Sequence, residues 1–244
     1  MMRDTTRPQG PSEPVQYYLA VPGLPGADLA LLAARGAILA HRRFRGHPGY
    51  ARWHAGSMAK VVLRAEAEEL AVLASAHDGL TIPEAPDVPQ LAVFRPRFKN
   101  QAAFLSHLKL YSGRLAPSLR ADWPEDGLYL PLLLNASLDL SAGKWAAQVA
   151  HAVLLWQEAQ GSTALWGQWL VAGLPLALLR AAERTLATAV AEGRAYGVED
   201  EGRTETAPGT LTVAAAAPGS LSQWRNEPEV NLSALGVGRP LAAK

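Results

Sequence analysis

Two neighbouring stretches decide the fold: LYLPLLL at residues 128–134 and, after nine intervening residues, KWAAQVAHAVLLWQEAQ at residues 144–160. The first is a short apolar run that reads as a buried strand, although Pro131 cannot donate to a ladder and so predicts an edge position or a bulge. The second is rich in Ala, Leu and Gln, carries its apolar residues at helical spacing, and has Ser141 or Gly143 placed to cap it. Downstream the alternation continues, with a strand at 174–180, a helix at 183–191 and a strand at 210–216 (TLTVAAA). Strands that alternate with helices predict an α/β protein.

The other half follows the same order. VQYYLAV at 15–21 is a β-prone run closed by PGLPG, Asp28 is a candidate N-cap, and residues 29–44 form an Ala/Leu-rich helix. A strand at 59–63 (AKVVL), a Glu-rich helix at 66–77, a strand at 90–95 (QLAVFR) and a helix at 101–111 complete it. Sliding the chain by about 116 positions lays Trp53 on Trp169, Leu63-Arg64-Ala65 on Leu179-Arg180-Ala181, and Leu70 on Leu186. The same shift lays ARGAIL (34–39) on AHAVLL (150–155). An internal repeat changes the fold prediction. The expectation is two related lobes, each a small mixed sheet flanked by helices in α/β/α layers, arranged as a tandem pseudo-dimer. Residues 15–111 form the first lobe, 112–127 a linker marked by Gly113, Pro117, Pro124 and Gly127, 128–218 the second lobe, and 219–244 an irregular tail. Only the second lobe contains the 202–209 stretch.

A chain of 244 residues with 49% apolar and 18% charged residues has enough apolar material for two small cores. It has no cysteine, which excludes disulfides, thiolate nucleophiles and Cys-based metal sites. The six histidines lack metal-ligand spacing, so neither a metal nor another cofactor is expected. The most apolar stretch, 164–179, is broken by Gln168 and Pro175 and stopped by Arg180, short of a membrane span. Residues 1–14 are polar with no apolar core of a secretory signal, so a soluble, cytoplasmic protein with no membrane contact is expected. Tryptophans 145, 156, 166 and 169 sit at helical spacing among apolar neighbours and read as core and lobe-interface residues.

Charge is uneven. Residues 1–121 hold 15 Lys/Arg against 9 Asp/Glu, and residues 122–244 hold 8 against 13. Such a split marks either a polyanion-facing half or two lobes that attract each other. The densest basic stretch, Arg42, Arg43, Arg45 and Arg52 among His41, His47 and His54, is a candidate phosphate contact.

Two stretches of the second half carry chemistry. On the helix, Lys144, Gln148 and His151 stand at i, i+4 and i+7 and form one polar stripe on an Ala/Val surface. Later, EDEGRTETAPGTLT at 199–212 reads as a loop bearing an acid, an arginine and hydroxyls, which enters a strand with Thr210 and Thr212 on one face. Together these resemble the type II peptidyl-tRNA hydrolase family over residues 126–218. That family's pattern is a strand, a Lys-Gly-Lys turn, an Ala-Ala-Gln helix with His three residues after the Gln, then Asp-x-Gly-Arg-Thr and Pro-Gly-Thr-x-Thr. This chain has Gly143-Lys144, Ala146-Ala147-Gln148, His151, Asp200-Glu201-Gly202-Arg203-Thr204 and Pro208-Gly209-Thr210-Leu211-Thr212.

The resemblance implies a four-stranded mixed sheet with helices on both faces, usually a homodimer, that hydrolyses the ester between a peptide and the 3′ ribose of tRNA. The first lobe, a degenerate repeat of the same fold, would then stand in for the second subunit and leave the protein a monomer. Carried over by position, Asp200 orients or deprotonates the attacking water. Thr204 and Thr212 hold water or the scissile group. Lys144 offers charge to the oxyanion or terminal phosphates, aided by its helix N-terminus. Gln148, His151, Arg203, Thr210 and the basic residues Arg42, Arg43 and Arg45 would support these groups or face the RNA. The chain departs from the pattern at Ala142, where the family has its first lysine, at Asn135 and Ser137, where it has Arg and Asp, and at Glu205, where it has Gln. The alternative is therefore a member that binds tRNA or a protein partner without cleavage.

Overall fold

The computed structural model describes residues 13–85, 88–116, 127–202, 205–227 and 229–238. Its N-terminal sheet contains β1 (Gln16–Ala20), β2 (Lys60–Arg64), β3 (Leu80–Ala85), β4 (Val88–Val93) and β5 (Lys109–Leu110), ordered β3-β4-β1-β2-β5. The C-terminal sheet contains β6 (Leu130–Asn135), β7 (Leu176–Ala181), β8 (Ala195–Asp200), β9 (Thr210–Ala216) and β10 (Val230–Gly238), ordered β10-β7-β6-β9-β8. Read from opposite ends, the two orders are the same. In each, the first strand runs parallel to the second and antiparallel to the fourth. The protein is α/β with two related lobes, and each mixed sheet has five strands where the resemblance implied four.

Seven α-helices occur among the described residues: α1 (Gly26–Phe44), α2 (Pro48–His54), α3 (Ala67–Ala76), α4 (Ala142–Gln160), α5 (Ala164–Val171), α6 (Glu183–Ala191) and α7 (Leu221–Arg225). Helices α1 and α4 pack on each other between the two sheets. The largest core joins their buried faces to Tyr18, Val62 and Val93 of one sheet and Leu132, Leu178 and Val213 of the other. The opposite face of the first sheet packs Leu19, Leu63 and Phe94 on Leu70 and Ala74 of α3. The opposite face of the second packs Leu133, Leu179 and Ala214 on Leu186 and Ala189 of α6 and on Trp224 of α7. Each sheet thus has helices on both faces, and the two lobes share the central helical layer. Alanines 27, 30, 33, 34, 37 and 40 of α1 are fully buried, so its backbone can approach its neighbours closely. Larger side chains such as Leu29 and Ile38 fill the gaps, and truncating either to Ala costs about 2–5 kcal/mol.

The expected apolar strands and long helices all form, and several details differ. Pro131 lies in β6, a central strand, near its start, where the β9 ladder has not begun: that pairing starts at Leu132. Asp28 lies in the first turn of α1, which starts after Pro25. The helix expected at 101–111 is a 3-10 helix, Lys99–Leu105, followed by β5, because Lys109 and Leu110 gain a ladder against Leu63 and Arg64. Glu199 and Asp200, expected in a loop, end β8. The tail expected to be irregular contains α7 and β10, and β10 pairs with β7 through a bulge. Within the expected linker, residues 117–126 lie outside the described ones, while Ala116 accepts a bond from Ala27 and Gly113 one from Ala142. No described helix is long and apolar enough to cross a membrane. Trp145, Trp156 and Trp169 are almost wholly buried, and Trp156, Trp166 and Trp169 meet with ring centres 5.4–5.5 Å apart.

Candidate active site

The first turn of α4 meets the end of β8 at a cleft between the lobes. Ser141 caps the helix, its Oγ accepting from the Lys144 amide at 3.2 Å. Its own amide and hydroxyl both donate to the Glu205 carboxylate at 2.7 Å, so Glu205 lies at the positive end of the helix dipole and anchors the 205–209 segment there. A Cβ on Gly143 would collide with the carbonyl oxygen of Tyr111 in the N-terminal lobe. Glycine at that position lets the helix start touch the other lobe.

Asp200 is the centre of the site. Only 5% exposed, its carboxylate takes an ion pair from Lys144 Nζ and a hydrogen bond from Gln148 Nε2, both on Oδ2, and a bond from the Gly202 amide on Oδ1 at 2.7 Å. Gly202 has φ +72°, and a Cβ there would come within 2.5 Å of the Pro208 ring, so the turn that aims this amide requires glycine. Desolvation pushes the Asp200 carboxyl up. The hydrogen bonds and charge of Lys144 and the Gly202 amide outweigh it and hold the carboxyl below its usual range. Gln148 is fixed in turn, because Thr212 Oγ1 lies 3.3 Å from its Oε1 and 3.1 Å from the Val198 carbonyl.

The cleft has a volume of roughly 330 Å³, at the low end for small-molecule pockets. The C-terminal lobe lines it with Lys144, Gln148, His151 and Asp200, and the N-terminal lobe with Ser57, Met58, Lys60, Leu110 and Tyr111, among others. His151 is half-buried one turn beyond Gln148. Burial, together with Lys60, Lys144 and His54, holds its imidazole well below the ordinary histidine range, with Asp200 opposing.

Asp200, Lys144, Gln148 and His151 are therefore brought together. Thr212 is fully buried and absent from the cleft wall; it positions Gln148 and does not reach a substrate. Thr210 is turned away, donating its hydroxyl to the Ala207 carbonyl at 2.7 Å. Arg203 and Thr204 lie outside the described residues. Arg42, Arg43 and Arg45 are at the C-terminal end of α1 and do not line the cleft; Arg43 is paired with Asp78 at 2.5 Å in its own lobe. Asn135 is buried, donating to the Leu211 carbonyl at 2.8 Å and accepting from Ser137, so this pair closes the end of β6 on itself. Sequence reasoning missed the N-terminal wall. A signal existed in the repeat, which sets charged Lys60 against apolar Leu176 at the same strand position.

Fold and site define a two-lobed α/β protein whose C-terminal lobe holds a buried carboxylate bound by a lysine and two amides at the cleft. Residues 128–226, the C-terminal lobe, match the family model described as Peptidyl-tRNA hydrolase PTH2. The N-terminal lobe lies outside the match. None of the curated proteins matches the chain.

Proposed function

We propose that the protein hydrolyses the ester of peptidyl-tRNA in the inter-lobe cleft. The observation that carries this reading is the Asp200 carboxylate on the cleft wall, held ionised by Lys144 and the Gly202 amide and bonded by Gln148, within the family-matching region. A carboxylate held low in pKa is a weak base, and its task is to orient water by accepting one of its hydrogens. The water oxygen bonds to the carbonyl carbon, the bond from that carbon to the ribose 3′ oxygen breaks, and the proton lost by the water is balanced by one gained at the 3′ oxygen. Lys144, though paired with Asp200, has a remaining ammonium N–H to donate to the carbonyl oxygen as negative charge builds there. Gln148 keeps Asp200 in register.

The first lobe, on this reading, is a duplicated unit in the place of a second subunit, and the chain is a cytoplasmic monomer. Its partner is tRNA bearing a peptide. Release of labelled peptide from peptidyl-tRNA tests the activity, and Asp200→Ala should abolish it. Binding of tRNA with no release by the parent chain would overturn the reading in favour of a binding protein.

A further inference from the structure

The cleft's charged groups are unevenly placed. Among the described residues its C-terminal wall carries Glu199, Asp200, Glu201 and Glu205 against the one cation Lys144, which is paired with Asp200. A polyanion such as the end of an RNA is repelled by that wall unless a cation faces it from the other side. Among the described residues, Lys60 is the cation on the N-terminal wall. It begins β2 on the face that packs against α4, the same face as Val62. Its Nζ donates to the Met58 carbonyl at 3.0 Å and lies 4.9 Å from the centre of the Trp53 ring. Those contacts leave donors of the ammonium to spare, and they include no carboxylate.

The other lobe supplies an internal control. Lys60 pairs with Gln16 at the start of β2 as Leu176 pairs with Leu130 at the start of β7. Leu176 is completely buried in the core. The position therefore accepts an apolar side chain in this architecture, and the sheet does not require a lysine there. Burial also pushes the Lys60 ammonium well below its ordinary range, with Glu158 opposing, a cost that a leucine would not carry. The same segment of the N-terminal lobe is otherwise spent on structure: His54 pairs with Glu158 at 2.8 Å, and Trp53 Nε1 donates to the Ala59 carbonyl.

We propose that Lys60 is the substrate-binding cation of the cleft, contributed by the N-terminal lobe to the C-terminal lobe's site, and that it takes a phosphate of the RNA end beside the reacting ester. The proposal rests on the reading of the cleft as a peptidyl-tRNA site, and it gives the N-terminal lobe a direct part in binding. Position 60 lies outside the family-matching region, so the site is completed by a residue from a lobe that lacks the family's sequence.

The test uses the full chain, with deacylated tRNA as the binding probe over a range of salt and peptidyl-tRNA as the kinetic substrate. Lys60→Met should weaken tRNA binding and raise KM about three- to tenfold, leave kcat within about twofold, and reduce the salt slope by roughly one phosphate contact. Lys60→Arg should restore both affinity and slope. Lys60→Gln is measured in parallel, so that a Lys60→Met chain that fails to fold does not end the test. A folded Lys60→Met or Lys60→Gln protein with the parent's affinity, KM and salt slope overturns the proposal, as does a parent chain that binds no tRNA. Absence of peptide release by the parent, with tRNA binding still dependent on Lys60, overturns the hydrolysis reading and leaves the binding role standing.

Discussion

Trp53 and Trp169 make the same bond in different lobes: each indole Nε1 donates at 2.8 Å to the carbonyl of the residue six positions on, Ala59 and Pro175. The backbone around them matches as well. Met58 donates to the Trp53 carbonyl and Leu174 to that of Trp169, and Met58 and Leu174 are both in the left-handed region, at φ 46° and 56°. A non-glycine residue in that region is uncommon, so its recurrence at matched places shows that each indole clamps a strained turn leading into the second strand of its sheet.

Replacing either indole by phenylalanine keeps most of the apolar surface and removes the bond to that turn. Trp53→Phe and Trp169→Phe should each lower stability by about 1–3 kcal/mol, from the lost bond, the unpaired carbonyl and the smaller ring. The two rings have different aromatic neighbours, Tyr50 and His54 for one and Trp156 and Trp166 for the other. The losses should therefore add in the double variant, as read by urea unfolding. A double variant no less stable than the weaker single one would refute the independence of the two clamps.

Asp200 and Lys144 have separable effects on peptide release. Asp200→Ala removes the group that orients water and should lower kcat by at least about a hundredfold. Lys144→Met leaves the carboxylate in place but takes away the charge and hydrogen bond that hold it ionised. The Asp200 carboxyl then rises, and the acid limb of the pH–rate profile moves to higher pH. An acid limb that stays put in Lys144→Met would mean that another group sets it.

How much of this was legible depended on where each segment takes its identity. β6, β7 and α4 are apolar or strongly periodic over their own lengths, and the Lys144, Gln148, His151 stripe follows from helical spacing alone. β3 (LTIPEA) and β8 (AYGVED) are edge strands with polar residues and little apolar run, and the two residues of β5 are a strand only because Leu63 and Arg64 lie beside them. Thr212 illustrates a different limit. Its spacing from Asp200 is readable, but its depth is not, and depth turns it from a substrate contact into a support for Gln148. Lys60 sits in an unremarkable AKVVL stretch, and only the packing of β2 against α4 brings it to the cleft.

Restoring the family's lysine at position 142 should not restore any function. Ala142 is 2% exposed, belongs to the central core and donates its amide to the Gly113 carbonyl at 2.8 Å. A lysine side chain there must displace core atoms or bend out past the linker, and overpacking of this kind costs about 1–3 kcal/mol. Ala142→Lys is expected to melt earlier than the parent with no gain in the rate of peptide release. A faster variant of unchanged stability would show that position 142 has access to the cleft.

Acid should loosen the protein before its carboxylates titrate. Burial, then His54 and Arg45, lowers the His41 pKa to about 4, and its Nδ1 lies 3.1 Å from the Tyr50 hydroxyl. His151 is lowered as well. An unfolded histidine titrates near 6.5, so between about 6.5 and about 4 the unfolded chain binds protons that folded His41 refuses. Linkage then makes stability fall as pH drops through that interval. His41 alone should contribute about 2 kcal/mol after allowance for its partial exposure to solvent. Urea midpoints taken from neutral pH down to about 4.5 read the loss, and His41→Gln should show a shallower decline. A decline as steep in His41→Gln as in the parent would place the proton uptake elsewhere, with His151 the next histidine to replace.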